Sequence, residues 1–175
     1  MEESLLEGDD DDPISKLIAP PELHLHLGAV NKAARVLNGK WGGDRFYKWC
    51  VKNNIELQKY HSKELNGNAC RDVLEALDSL ELAIIESSLE LALIESEKIE
   101  LLEYVELLKA FDKVRKSCFG MELLPSYEED IAAYKVVYAK VGLNVTTKAH
   151  IIFEHVIPFC KMTGKGLGHF SEQTR

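Results

Sequence analysis

Residues 79–87 read SLELAIIES and residues 88–96 read SLELALIES, a tandem copy of nine residues that differs only at Ile84 against Leu93. No other feature limits the fold as strongly. Nine steps carry a helix through roughly two and a half turns, so equivalent residues in the two copies face opposite sides. A continuous helix here would show leucine and isoleucine all round. It must be buried on two sides, break between the copies, or pair with another chain. A heptad reading is also open. Val73, Leu80, Ser87, Ile94, Leu101 and Leu108 take one position, and Leu77, Ile84, Leu91, Lys98, Val105 and Asp112 the other, with polar faults at Ser87, Lys98 and Asp112. That pattern allows segment 71–112 to dimerise as a coiled coil. The plainer reading is one long helix, or two helices broken near Ser96 to Glu100, packed inside the domain. A short copy of this kind reads as an insertion rather than a designed site.

The formal net charge of −8 divides unevenly along the 175 residues. Residues 1–12 carry −7, residues 13–70 carry +5, residues 71–106 carry −9, and residues 107–175 carry +3. Two mildly basic segments therefore flank a strongly acidic one. Phosphate attraction depends on local patches, so an acidic total does not exclude a nucleic-acid surface. The bland reading of both basic segments is an ordinary solvated face. Composition excludes collagen, a disulfide scaffold and full disorder, and no apolar run is long enough to span a bilayer. Cys50, Cys70, Cys118 and Cys160 lie far apart with no C-x-x-C pair. They read as reduced, packed thiols of an intracellular protein without a secretory signal.

The expected architecture is all-α, an irregular helical bundle with one long acidic helix or broken helix pair and flexible ends. Residues 1–17 read as an acidic disordered tail, 18–163 as the helical domain, and 164–175 as a glycine-rich flexible tail. Leu23, Leu27, Val30, Ala34 and Leu37 form one stripe after Pro21, with Asn38-Gly39 as the stop. A short helix over Asp44 to Lys52 should bury Phe46, Trp49 and Cys50. Asn66-Gly67-Asn68 supplies a turn that can cap the next helix. Ser126 and Glu129 make a capping-box pattern before the stripe Tyr127, Ile131, Tyr134, Tyr138 and Val141, which Gly142 ends. Thr146 or Thr147 can cap a last helix that runs to about Thr163, with a kink at Pro158.

Each candidate for chemistry falls short of its pattern. His24 and His26, two apart on a helix, point about 200° apart and cannot share a metal. The expected outcome is one packed histidine and one exposed. His150 and Glu154 share a face, but His150 and His155 are five apart, where a zincin helix needs histidines four apart. Thr163-Gly-Lys-Gly-Leu-Gly168 lacks the Ser or Thr after Gly-Lys and follows a helix, so it is not a nucleotide-binding P-loop. Lys161, Lys165 and His169 among these glycines remain candidates for contact with a phosphate backbone, without sequence preference. No catalytic residue, metal ligand or cofactor is nominated.

Three stretches carry a family resemblance: Pro20-Pro-Glu-Leu-His-Leu-His-Leu-Gly-Ala-Val-Asn31, Tyr60-His61 with Asn66-Gly-Asn-Ala-Cys70, and His150 through Gly168 with Ser171-Glu-Gln173. They resemble the C-terminal region of uncharacterised, transposase-like proteins that transposable elements encode in many copies in invertebrate genomes. The likeness spans most of residues 18–173. It implies an intracellular protein, nuclear if transposase-like and otherwise cytoplasmic, of a kind in which an upstream region would have to supply zinc-binding and RNase-H-like parts. It also implies a fragment or degenerate copy without catalysis of its own, with an ancestral part in DNA handling or assembly. Glu22, His24, Asn31, Gly67, Asn68, His150, Gly164, Gly166 and Gly168 are the motif positions it singles out, with no role attached. DNA and a second copy of the chain are the expected partners, and no membrane.

Overall fold

A computed structural model describes residues 19–59 and 63–171. The expected acidic tail at 1–17, the motif residues Tyr60 and His61, and everything after Ser171 lie outside the described residues. Among the described residues there are nine α-helices, one π-helical turn and no strand. None of these helices is long and apolar enough to cross a membrane. The bundle is all-α, as the helical periodicities require.

Helix α1 (Glu22–Trp41) is the spine, packed against α2 (Arg45–Lys52), α3 (Gly67–Glu75), α5 (Glu95–Val114) and α7 (Thr147–Glu154). Helix α4 (Leu77–Glu90) lies along α5, and α5 lies along α6 (Tyr127–Val141). Helix α8 (Val156–Thr163) and the single turn α9 (Gly168–Ser171) complete the order. An aromatic row runs through the centre. Phe111 lies 5.5 Å from Tyr134, Tyr134 lies 5.6 Å from Phe153, and Phe111 meets Phe119 edge-on at 5.7 Å. Such tilted and edge-to-face pairs add to the burial of large apolar rings.

The duplication behaves as nine-residue arithmetic demands. In the first copy Leu80 and Ile84 are fully buried, while Leu82 faces outward. In the second copy Leu89, the counterpart of Leu80, is 80% exposed. The helix breaks, but inside the second copy, over Leu91 to Ile94, rather than near Ser96 to Glu100 or at the seam between copies. Ala92 takes a left-handed φ of 50°, and the Leu93 N–H closes the end by donating to Ser88 O at 3.0 Å. Glu97 then accepts from the Ile94 N–H at 3.1 Å to start α5. Helices α4 and α5 fold back on one another, so the heptad positions Leu80, Ile84, Leu101, Val105 and Leu108 fill this chain's own core.

Several boundaries differ from the sequence reading. Helix α1 passes through Asn38-Gly39 and stops at Gly42, whose φ is 78°. The buried ring of Trp41 holds that extra turn, its Nε1 donating to Ser87 Oγ at 2.7 Å. The inward stripe begins at Leu25 and His26, leaving Leu23 52% exposed. Ser126 donates to Asp130 Oδ2 instead of completing a capping box. The last long helix divides at His155, because Pro158 has no N–H to offer the Glu154 carbonyl.

The glycine-rich segment is not a loose tail through Ser171. Gly166 and Leu167 are buried, and three backbone bonds tie the segment down. Gly166 N–H donates to Met121 O, Leu167 N–H to Cys118 O and Gly168 N–H to Gly120 O, at 3.2, 2.8 and 3.0 Å. The glycines allow the close approach that any side chain would block.

Candidate anion-binding pocket

At the end of α5 the chain widens into a π-helical turn, Arg115–Phe119. Such turns insert an extra residue and redirect the side chains around it. Here Arg115, Lys116 and Phe119 join Gly120, the start of α1 and the N-terminus of α3 around one recess of about 390 Å³. Glu22, Leu23 and His26 come from α1, and Gly67, Asn68 and Arg71 from α3.

The N-terminus of α3 is built by Asn66. Its Oδ1 accepts from the Ala69 N–H at 2.9 Å, which caps the helix and leaves the N–H groups of Gly67 and Asn68 with no helical acceptor. The loop carrying this cap is held by Asn31 of α1. Asn31 Oδ1 accepts from the Leu65 N–H at 2.9 Å, and its Nδ2 donates to Leu65 O at 3.0 Å. Asn31 thereby fixes the height of α3 against α1 without touching the recess.

Charge in the recess is lopsided. Arg71 has one polar partner, donating to Asn68 Oδ1 at 3.3 Å, and no carboxylate among the described residues. Arg115 donates to Asp112 Oδ1 from Nε and Nη2 at 3.0 and 2.7 Å. Lys116 reaches Asp112 Oδ2 at 2.9 Å. One mostly buried carboxylate thus orients two cations, and among the described residues Glu22 is the only acid in the lining. Burial holds the Glu22 carboxyl above its ordinary pKa. His26 is 6% exposed, with its ring 5.8 Å from Phe111. Burial, then the Arg115 charge, lower its pKa to about 4; Asp112 opposes the shift and Arg71 adds to it. The imidazole is therefore neutral near neutral pH, and its buried Nε2 has no hydrogen-bond partner among the described residues.

Of the motif positions, Glu22, Gly67 and Asn68 meet in this recess, and Gly166 and Gly168 support its Gly120 wall from behind. Gly164 ends α8 with a φ of 67°. His24 is exposed, as the helical spacing with His26 requires. His150 stacks edge-on against His155 at 5.1 Å, while Glu154 pairs with Lys135 at 2.8 Å. Among the described residues no three His, Cys, Asp or Glu side chains converge to hold a metal ion.

Lys161, Lys165 and His169 do not line the recess. Lys161 approaches Glu128 at 3.5 Å, Lys165 is exposed, and the His169 ring lies 5.2 Å from Phe170. The sequence reading missed Arg71, Arg115 and Lys116. Their only local signal is polar spacing: Arg71 stands three after Asn68, and Arg115 and Lys116 stand three and four after Asp112. All four thiols are buried. Burial pushes Cys50, Cys70 and Cys118 up to about 12 and Cys160 up to about 11, so none is a ready nucleophile.

Fold and site together define an all-α bundle with a cationic pocket at a helix N-terminus. Comparison with family models, curated proteins and solved structures found no match to this chain.

Proposed function

We propose that this chain is a non-catalytic DNA-handling module of the transposable-element kind its motifs resemble, gripping the sugar–phosphate backbone through the cationic pocket. One observation carries the reading: Arg71, Arg115, Lys116 and the N-terminus of α3 surround a single recess. Arginine presents a planar fork that suits phosphate oxygens, and free N–H groups at a helix start add to it. Contacts of this kind fix position on a strand and carry no base preference. A nuclear setting follows from the same reading.

The test is binding of a labelled duplex and a labelled single strand across a salt series, beside a light-scattering mass. Affinity should fall steeply with salt. Arg71→Ala should weaken binding uniformly across sequences and reduce the log–log salt slope by about 1. A paired Lys161→Ala, Lys165→Ala variant separates the pocket from the glycine-rich segment. If neither nucleic acid binds, the reading falls.

A second reading has its own observation. Leu82, Leu89, Ile94 and Ile99 are exposed on and around the duplicated segment, at 59, 80, 63 and 48%. In this reading two copies of the chain meet through segment 71–112, against the mutual repulsion of its carboxylates. A monomeric mass at high protein concentration removes it.

A further inference from the structure

His26 is the one group in the recess whose chemistry is unfinished. His26 lines the recess, it is 94% buried by its 6% exposure, and its Nε2 has no partner among the described residues. A buried polar atom is normally satisfied, so a lone one on a residue that lines a recess marks a missing partner. The groups around it narrow the answer. Glu22 stands one turn earlier on the same helix. Arg71 faces it from α3, Asp112 from α5, and Arg115 with Lys116 from the π-helical turn. Cations outnumber acids, and Asp112 is already shared by Arg115 and Lys116. Neither the imidazole nor Arg71 contacts a carboxylate among the described residues, and burial disfavours the charged form of Glu22, the acid in the lining. A single oxyanion meets both.

We propose that the recess is a tetrahedral-oxyanion site that takes one phosphate group, with His26 bound to it as the imidazolium, so that the anion and a proton enter together. The proton comes from solvent onto the ring nitrogen, and no covalent bond to the anion forms or breaks. Arg71 and the N–H groups at the start of α3, a nine-residue helix, complete the oxygen contacts. A volume of about 390 Å³ leaves room for the sugars on either side of a backbone phosphate. The source of the phosphate rests on the DNA reading above, but the site itself does not, and small anions separate the two.

The experiment titrates the whole chain with inorganic sulfate and with a dinucleotide phosphodiester, whose charges stay fixed across the range, from about pH 7.5 to about pH 5.5. Calorimetry in buffers of different ionisation heat counts the protons taken up. The expected result is affinity that rises roughly fivefold or more over this span, with net proton uptake. The His26 ring resonance, followed by NMR in the unmutated chain, should titrate at higher pH with sulfate than without. His26→Gln keeps a donor but cannot take a proton, so it should bind with a flattened pH profile. Glu22→Gln should keep the rise, because Glu22 is the other titrating group in the lining.

A rise that survives His26→Gln overturns the proposal, as does one that vanishes in Glu22→Gln. Binding without proton uptake, or an unmoved His26 resonance, overturns it as well. Failure of both small anions to bind at any pH overturns the site outright, even if DNA binds elsewhere. Proton-coupled anion binding with no affinity for DNA leaves the inference standing and removes the DNA reading.

Discussion

The α-carbon of Gly166 packs directly onto the carbonyl of Gly120, 46 residues earlier in the chain, with no space for a side chain between them. A Cβ there would collide with Gly120 O and come within 2.8 Å of Glu122 O. One at Gly168 would lie 2.9 Å from Phe119 O. The Gly-Lys-Gly-Leu-Gly run is therefore a backbone-to-backbone clasp on the π-helical turn. Its resemblance to a phosphate loop is superficial, but it supports Gly120, which walls the cationic recess.

Gly166→Ala should accordingly cost about 1–3 kcal/mol, because the atoms in the way are backbone and cannot swing aside. Gly39 gives the contrast. It sits within α1 with nothing near the missing Cβ, so Gly39→Ala should stabilise by about 0.5–1 kcal/mol. Urea unfolding midpoints of the two variants check both signs.

The duplicated leucines should respond in opposite ways. Leu80 is fully buried and Leu89, its copy, is 80% exposed. Leu80→Ala should cost about 2–5 kcal/mol through the cavity it leaves, and Leu89→Ala should stay within about 0.5 kcal/mol of the parent. Equal losses measured by chemical denaturation would mean that the second copy is covered in solution.

Stability should fall as the solution is acidified through the titration range of His26. The unfolded imidazole titrates near about 6.5, and the folded one is held down to about 4, chiefly by burial and then by Arg115. Between those values the unfolded chain binds more protons. The contribution is thus complete above the unfolded pKa and is lost as pH drops toward the folded one. About 2 kcal/mol should go between about pH 7 and about pH 5. His26→Gln should flatten that part of a stability-against-pH profile.

What the sequence disclosed was whatever lies on one helical face. The stripe of Tyr127, Ile131, Tyr134 and Tyr138 is buried as spaced, and His24 and His26 separate as their two-residue step requires. Asn66 caps α3 and Thr146 caps α7, since caps are local devices. Asn38-Gly39 misled because the stop it signals was overruled by Trp41, whose anchor Ser87 lies 46 residues away. The π-helical turn has no local pattern to announce it. The pocket was invisible for a similar reason: Arg71 and Arg115 are distant in sequence, and only the crossing of α1, α3 and α5 brings them together.

The clasp between Gly120 and Gly166 also sets an order in time. A ribosome delivers Gly120 first, and 46 more residues must follow before Gly166 can cover it. Until then the π-helical turn has an open back, and the pocket wall it carries has no support. Helices α1 to α5 can assemble during synthesis, since domains fold as their residues emerge. The wall of the cationic recess is therefore completed by a segment 46 residues further along the chain that contributes no side chain to the lining.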